Sequence, residues 1–293
     1  MRSANAYVRP LFKVDKLREI AKSIPGSPSD IGGRAYGLAL IILDACFGRE
    51  WLEKQVLSEP TNGYLARHLG DEYGNALVMH RVRDLAETVL NLLPIQGVEA
   101  PLDQLVCGQI ESAVAELGVG KLLLRRGLPF RFIWPSGTKG SDFDILITLP
   151  NNSEVCTDTK CKFEEKEFST NSVRNSLEEA RKRNLPKGYP CAIFLKIPHA
   201  WVKDQTIFSE MENAIWRFLG SASRIVTVQV YANIVDLIGD TIHDSDWGWE
   251  YVNKRPEFLP DQDWRVFGMN RGELRNSDKW VRLADIVKDS AAS

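Results

Sequence analysis

Residues 141–163 read SDFDILITLPNNSEVCTDTKCKF, and their alternation decides the fold. Two apolar runs, DFDILITL and EVCTDTKCKF, flank the turn residues PNNS, which is the pattern of a β-hairpin. Side chains alternate between the two faces of a strand. Asp142 and Asp144 then share one face of the first strand, with Phe143, Ile145 and Ile147 on the other. Asp158, Lys160 and Lys162 share a face of the returning strand, opposite Thr157, Thr159, Cys161 and Phe163. Charged residues are depleted in strands, so three acids and a lysine on neighbouring strands ask for a chemical reason. Facing positions in a hairpin lie about 5 Å apart; the sequence leaves the register open.

Two carboxylates held that close repel each other unless a cation lies between them. Hard oxygen ligands suit Mg²⁺ or Mn²⁺. A neighbouring lysine orients a water or steadies a developing anion. Together these are the parts for metal-assisted hydrolysis of a phosphodiester. The plainer reading of a lone D-x-K triplet is a surface ladder on a half-exposed sheet. Its place after an acidic strand and before a helix favours the site.

Outward from the hairpin, VCGQIESAVAELGVGKLLLRRG reads as a helix ending at Gly127, and PFRFIW as a strand. SGTKGS is a turn or loop. STNSVRNSLEEARKRN is a helix capped by Ser169 or Thr170. CAIFLKIP is a buried strand, DQTIFSEMENAIWRFLG a helix and RIVTVQVYA a strand. The expected order is α-β-β-β-α-β-α-β, an α/β (α+β) domain with helices packed on a mixed sheet. Residues 1–104 read as a helical region, 105–240 as this domain and 241–293 as an extension packed on it. The extension is rich in Trp, Asp, Asn and Pro and is expected to be irregular, anchored by Trp247, Trp249 and Trp264. Its DSDWGWE segment lacks the spacing of an EF-hand loop.

The 293 residues carry 44% hydrophobic and 26% charged side chains, ordinary for a globular chain able to bury a core. The net charge of −2 gives no global field to attract nucleic acid, so such binding requires a local basic stripe. Five cysteines without a CxxC pair and four scattered histidines are poor material for zinc or a disulfide framework. Cys156 and Cys161 read as small strand residues, and His68 and His80 sit among ordinary polar and apolar neighbours. No leader is expected in MRSANAYVRPLFKV, and YGLALIILDACF is too short to span a bilayer. A cytoplasmic protein with reduced thiols is the expectation.

The hairpin residues resemble the PD-(D/E)XK nuclease superfamily, whose fold is restriction-endonuclease-like, with an αβββαβ core. SDFDILI stands where that pattern places its first aspartate, and DTK where it places (D/E)-x-K. TDTKCKFE with NSVRNSLEEARKRNLP is similar to a group of uncharacterised microbial proteins with this core. The resemblance covers residues 106–231. Ser141 replaces the usual proline, Asp158 stands where glutamate is commoner, and Asp142 and Asp144 compete for one role, with Asp142 slightly preferred. The resemblance implies a Mg²⁺- or Mn²⁺-dependent nuclease that acts on DNA ahead of RNA. Asp142 or Asp144, Asp158 and the Thr159 carbonyl would bind the metal, and Lys160 would handle the attacking water. A glutamate from the preceding helix often joins such sites. Glu116 fits, with Glu111 as the alternative, and the five-residue separation turns them about 140° apart on a helix.

Residues 120–190 hold 13 Lys and Arg against 9 Asp and Glu, a local +4. Lys162, Arg174, Asn175 and Arg181 are the candidate substrate contacts, although basic residues also favour a helix C-terminus for its own sake. The helical N-terminal region is left to read sequence, bind a partner protein or form a homodimer. The alternative function is a non-catalytic nucleic-acid-binding or interaction protein built on the same scaffold.

Overall fold

The computed structural model of the chain describes residues 13–27, 29–58, 63–66, 72–164, 166–238, 241–258 and 280–292. His68 and Trp264 lie outside the described residues. The N-terminal region supplies α1 (Val14–Ser23), α2 (Ile31–Phe47), α3 (Arg49–Leu52, continued by a π turn), α4 (Glu72–Leu92) and α5 (Glu99–Val106). Then follow α6 (Ile110–Arg125), β1 (Phe130–Phe132), β2 (Ile145–Thr148), β3 (Glu154–Cys161), α7 (Thr170–Glu179), β4 (Cys191–Lys196), α8 (His199–Lys203), α9 (Gln205–Leu219), β5 (Ile225–Ile238), β6 (Thr241–Val252) and α10 (Leu283–Ala292). Among the described residues no helix is long and apolar enough to cross a membrane.

The sheet order is β1-β2-β3-β4-β5-β6. β1, β2 and β3 form an antiparallel meander, β3, β4 and β5 run parallel, and β6 returns antiparallel to β5. The PNNS turn closes with Leu149 N–H donating to Ser153 O at 2.8 Å, and Asn152 takes φ 62° there. β4 (CAIFLK) is buried at every position, as a central parallel strand should be.

One apolar core lies on the α6 side of the sheet. It joins Ile145, Ile147, Val155, Ala192 and Phe194 to α2, α4 and α10. The other contains Leu146, Cys156, Ile193 and Leu195 with α7 and α9. The first core is continuous with the N-terminal helices, so those helices and one sheet face share their burial.

Three local readings change. The single helix expected from Val106 is broken, because Gly108 adopts φ +82° and starts α6 afresh at Ile110. The strand expected from Asp142 begins only at Ile145. The segment after 240 is not irregular throughout: residues 241–252 pair with Thr227–Ile238 of β5. Trp247, Trp249 and Tyr251 alternate on one face of β6, and their rings meet Phe208 and Trp216 of α9 edge-on. Farther on, α10 packs against α1 and α2. The segment before α10 is fixed to α4 by paired Asn91–Val281 hydrogen bonds and by Leu283 N–H donating to Glu87.

Candidate active site

The β2–β3 register pairs Ile145 with Thr157. One step further places Asp144 opposite Asp158, and Asp144 N–H still donates to Thr157 O at 2.9 Å. Beyond that point the strands part. The Asp144 carboxylate takes over the lost ladder contact, with Oδ2 accepting from Thr159 N–H at 2.5 Å. The branch point therefore turns one acid inward and holds it beside a second. Because Leu146, Cys156 and Ile193 belong to the α7-side core, alternation points Asp144, Asp158 and Lys160 to that side.

Asp158 is fully buried. Its Oδ2 forms an ion pair with Lys160 Nζ at 2.9 Å, and its Oδ1 accepts from Asn184 Nδ2 at 2.7 Å. Asn184 ends the π turn that follows α7. Arg224 holds that turn by donating to the carbonyls of Arg181 and Leu185.

Glu116 reaches the same cluster from α6 and is 8% exposed. Its Oε1 accepts from Gln104 Nε2 of α5 at 2.8 Å. Close packing seats α6. A methyl group on Gly120 would stand 2.7 Å from the Phe132 ring and 3.1 Å from Leu92, and Tyr231 Oη donates to Ala115 O at 2.7 Å.

Burial pushes the Asp144 carboxyl well above the usual range, with further upward pushes from Asp158 and Glu116. Burial likewise raises Asp158, against the downward pull of Lys160 and Asn184. Glu116 rises to about 7 through burial, with Asp158 adding to it and Gln104 opposing. Desolvation works against the Lys160 ammonium, but Asp158 and Asp144 outweigh it and hold its pKa above the ordinary value. Three acids therefore share one lysine in a desolvated space, and their mutual repulsion appears as protons held on carboxyls.

The remaining expected residues stand elsewhere. Asp142, expected on the strand beside Asp144, is half-buried in the preceding loop. Its Oδ1 accepts from Ser136 N–H and Ser136 Oγ at 2.7 and 2.8 Å, and those bonds lower its pKa. The strand ends too early to carry it inward. Lys162, expected at the substrate, is 7% exposed and gives its ammonium to Ser172 O, Ser172 Oγ and Ser176 Oγ of α7. Glu111 joins a different group, where burial raises its pKa and the Lys196 charge opposes. Arg174 and Asn175 are exposed on α7, and Arg181 pairs with Glu178 at 2.6 Å. Thr159 pairs with Phe194 of β4.

Gln104 and Asn184 were not singled out in the sequence. An amide carries no pattern of its own, and each becomes visible only through the carboxylate it touches.

The donor set fits a hard divalent cation in kind: carboxylate oxygens whose crowding a positive charge would relieve. Among the described residues no three His, Cys, Asp or Glu side chains converge as a ready metal cage. Lys160 and Asn184 engage Asp158, and Gln104 engages Glu116. Compared with known proteins, the chain matches no family model, no curated protein and no solved structure.

Proposed function

We propose that this chain is a metal-dependent nuclease with a restriction-endonuclease-like core, cleaving phosphodiester bonds in nucleic acid, DNA ahead of RNA. The observation that carries the reading is the meeting of Glu116, Asp144, Asp158 and Lys160, from three separated elements, at the point where β2 and β3 diverge. The order α6-β1-β2-β3-α7-β4 supports it, since it is the element order that the resemblance implies.

Asp144 and Asp158 would hold Mg²⁺ or Mn²⁺ with the Thr159 carbonyl, and Glu116 would hold a second ion or a metal-bound water. When bound, the ion supplies charge neutralisation at the phosphate and a more acidic water. Lys160 would orient the attacking water and stabilise the negative charge of the transition state. Asn184 and Gln104 keep Asp158 and Glu116 turned into the cluster. Lys139, Lys182, Arg183 and Lys187 are exposed around the loop 136–142 and the π turn, which touch through Gly140 N–H and Arg183 O. That stretch suits a polyanionic strand.

The test is cleavage of supercoiled, linear and single-stranded DNA and of structured RNA, with Mg²⁺, Mn²⁺ or EDTA. Lys160→Ala and Asp158→Ala run beside the wild type. Metal-dependent cleavage lost in both folded variants is the expected result. Equal cleavage by wild type and both variants sinks the assignment. No cleavage in any lane favours the non-catalytic binding protein.

A further inference from the structure

A groove of about 560 Å³ lies against the outer edge of β1, between Arg131–Trp134 and the turn of residues 94–97 that leads into α5. The groove is built into the fold. Phe132 N–H donates to Gln96 O at 2.9 Å, and a side chain on Gly97, at φ +79°, would strike Phe132 O. The outward polar groups of Phe132 are thereby used, so this edge does not take a further strand.

Two links set the groove beside the carboxylate cluster. Ile133 N–H donates to Asp144 O at 2.8 Å, which places Trp134 next to the point where β2 and β3 part. On the other wall the turn runs into α5, whose Gln104 holds Glu116. Trp134 is 52% exposed, so a large apolar ring face stands in water at the groove.

The surrounding charge is close to balanced. Arg131 is exposed in the groove and Lys139 in the loop that follows. Lys182, Arg183 and Lys187 stand across the Gly140–Arg183 contact. Against them, Glu99 lines the groove, Asp142 lies in the loop, and Glu178 and Glu179 engage Lys182 and Arg183 at 3.0 and 3.8 Å. Phosphate contacts alone therefore hold a strand weakly, and the remaining affinity has to come from the bases. In a duplex each base face is covered by its neighbours, whereas an unpaired base can stack on an aromatic ring.

We propose, on the basis of the nuclease reading of the neighbouring cluster, that this groove receives an unpaired base stacked on Trp134, so that the preferred substrate is single-stranded DNA. Arg131 contacts the phosphate beside that base, and Lys139 a phosphate farther toward the π turn. The strand passes the fork between β2 and β3, which brings a phosphodiester to Asp144, Asp158 and Lys160.

The experiment is fluorescence anisotropy of a labelled oligonucleotide, single-stranded or annealed to its complement, titrated with the full chain. Wild type is used in EDTA. Lys160→Ala, which in the nuclease reading keeps the metal ligands but does not cleave, is used in Mg²⁺. Trp134→Leu keeps an apolar side chain without a ring, Trp134→Tyr keeps a ring, and Trp249→Leu removes an exposed ring on the distant strand β6. Thermal unfolding checks that each variant is folded. The expected result is single-strand binding about tenfold or more tighter than duplex binding, lost about tenfold in Trp134→Leu, retained in Trp134→Tyr and unchanged in Trp249→Leu. Arg131→Ala, expected to weaken binding about fivefold, carries the test if Trp134→Leu fails to fold. Duplex bound as tightly as single strand, binding by folded Trp134→Leu equal to wild type, or no binding in either arm overturns the proposal. The two readings fail separately. Metal-dependent cleavage by wild type with unaltered binding in Trp134→Leu strikes the stacking platform and leaves the nuclease. Single-strand binding that depends on Trp134, with no cleavage under any metal, strikes the nuclease and leaves the platform.

Discussion

Around Asp158, three carboxylates crowd one lysine; around Lys196, two cations share two carboxylates. In the second group Lys196 Nζ lies 3.3 Å from Glu164 Oε1, and Arg81 Nη2 lies 3.3 Å from the same oxygen. Lys196 is 1% exposed, and both cations also stand over the Tyr64 ring. Glu111 completes the set through the field of Lys196. These residues come from α4, α6, β4 and the loop after β3, so the balanced group ties the helical region to the sheet. The crowded group is unbalanced and holds protons to compensate. Balance fits a structural joint. Imbalance fits a place waiting for positive charge, as the proposed nuclease site would.

Removing a charge should therefore act oppositely in the two groups. Lys196→Met should destabilise the fold most, by about 2–4 kcal/mol, since it takes from the half-buried Glu164 one of its two cationic partners. Urea unfolding measures it, and a loss below about 1 kcal/mol would show that the joint is ornamental. Gly120→Ala should cost about 1–3 kcal/mol by forcing α6 away from Phe132 and Leu92. In the nuclease reading it should also lower cleavage, because Glu116 moves with that helix.

In the crowded group, Asp144→Asn should instead stabilise by about 1 kcal/mol while abolishing cleavage. The amide oxygen can still accept from Thr159 N–H, and a carboxyl that burial and Asp158 force to hold a proton is replaced by a group that carries no charge at any pH. A lower melting temperature in this variant would break the contrast.

A further effect is one of pH. Glu116 is raised in the folded state from 4.5 to about 7, so the stability gained from its proton is complete below pH 4.5 and is lost as pH rises through about 7. Glu116→Gln should flatten this fall in a melting-temperature series from pH 5 to pH 8. Added Mn²⁺ should raise the wild-type melting temperature at pH 8 more than at pH 5. Parallel pH profiles for wild type and Glu116→Gln would show that Glu116 does not couple to the cluster.

The alternation in residues 145–161 made the hairpin and its acidic face legible, because period two is a property of the chain itself. Asp144 and Asp158 followed from that pattern, and Glu116, with Glu111 as its alternative, from what the resemblance implies. Asp142 was indistinguishable from Asp144 by spacing. What separates them is the end of the ladder at Ile145 and the capture of Asp142 by Ser136, both tertiary facts. β6 carried a readable W-x-W-x-Y alternation, obscured by the Gly and Glu between its aromatics and by the His and Asp residues before them. The joint around Lys196 was hidden for another reason. Its charges lie on four separated segments, and no local period connects them.

The facing of Asp144 and Asp158 has a consequence for how the chain tolerates insertions. From Ile145 to Thr148 and from Glu154 to Thr157 every residue is counted by the register. One residue added inside either paired strand would turn Asp144 or Asp158 to the opposite side of the sheet. The loop from Ser136 to Asp142 lies outside that count and ends before the first paired residue. Deep insertion scanning should therefore draw a sharp border at Asp144, with tolerance on the loop side and loss on the hairpin side.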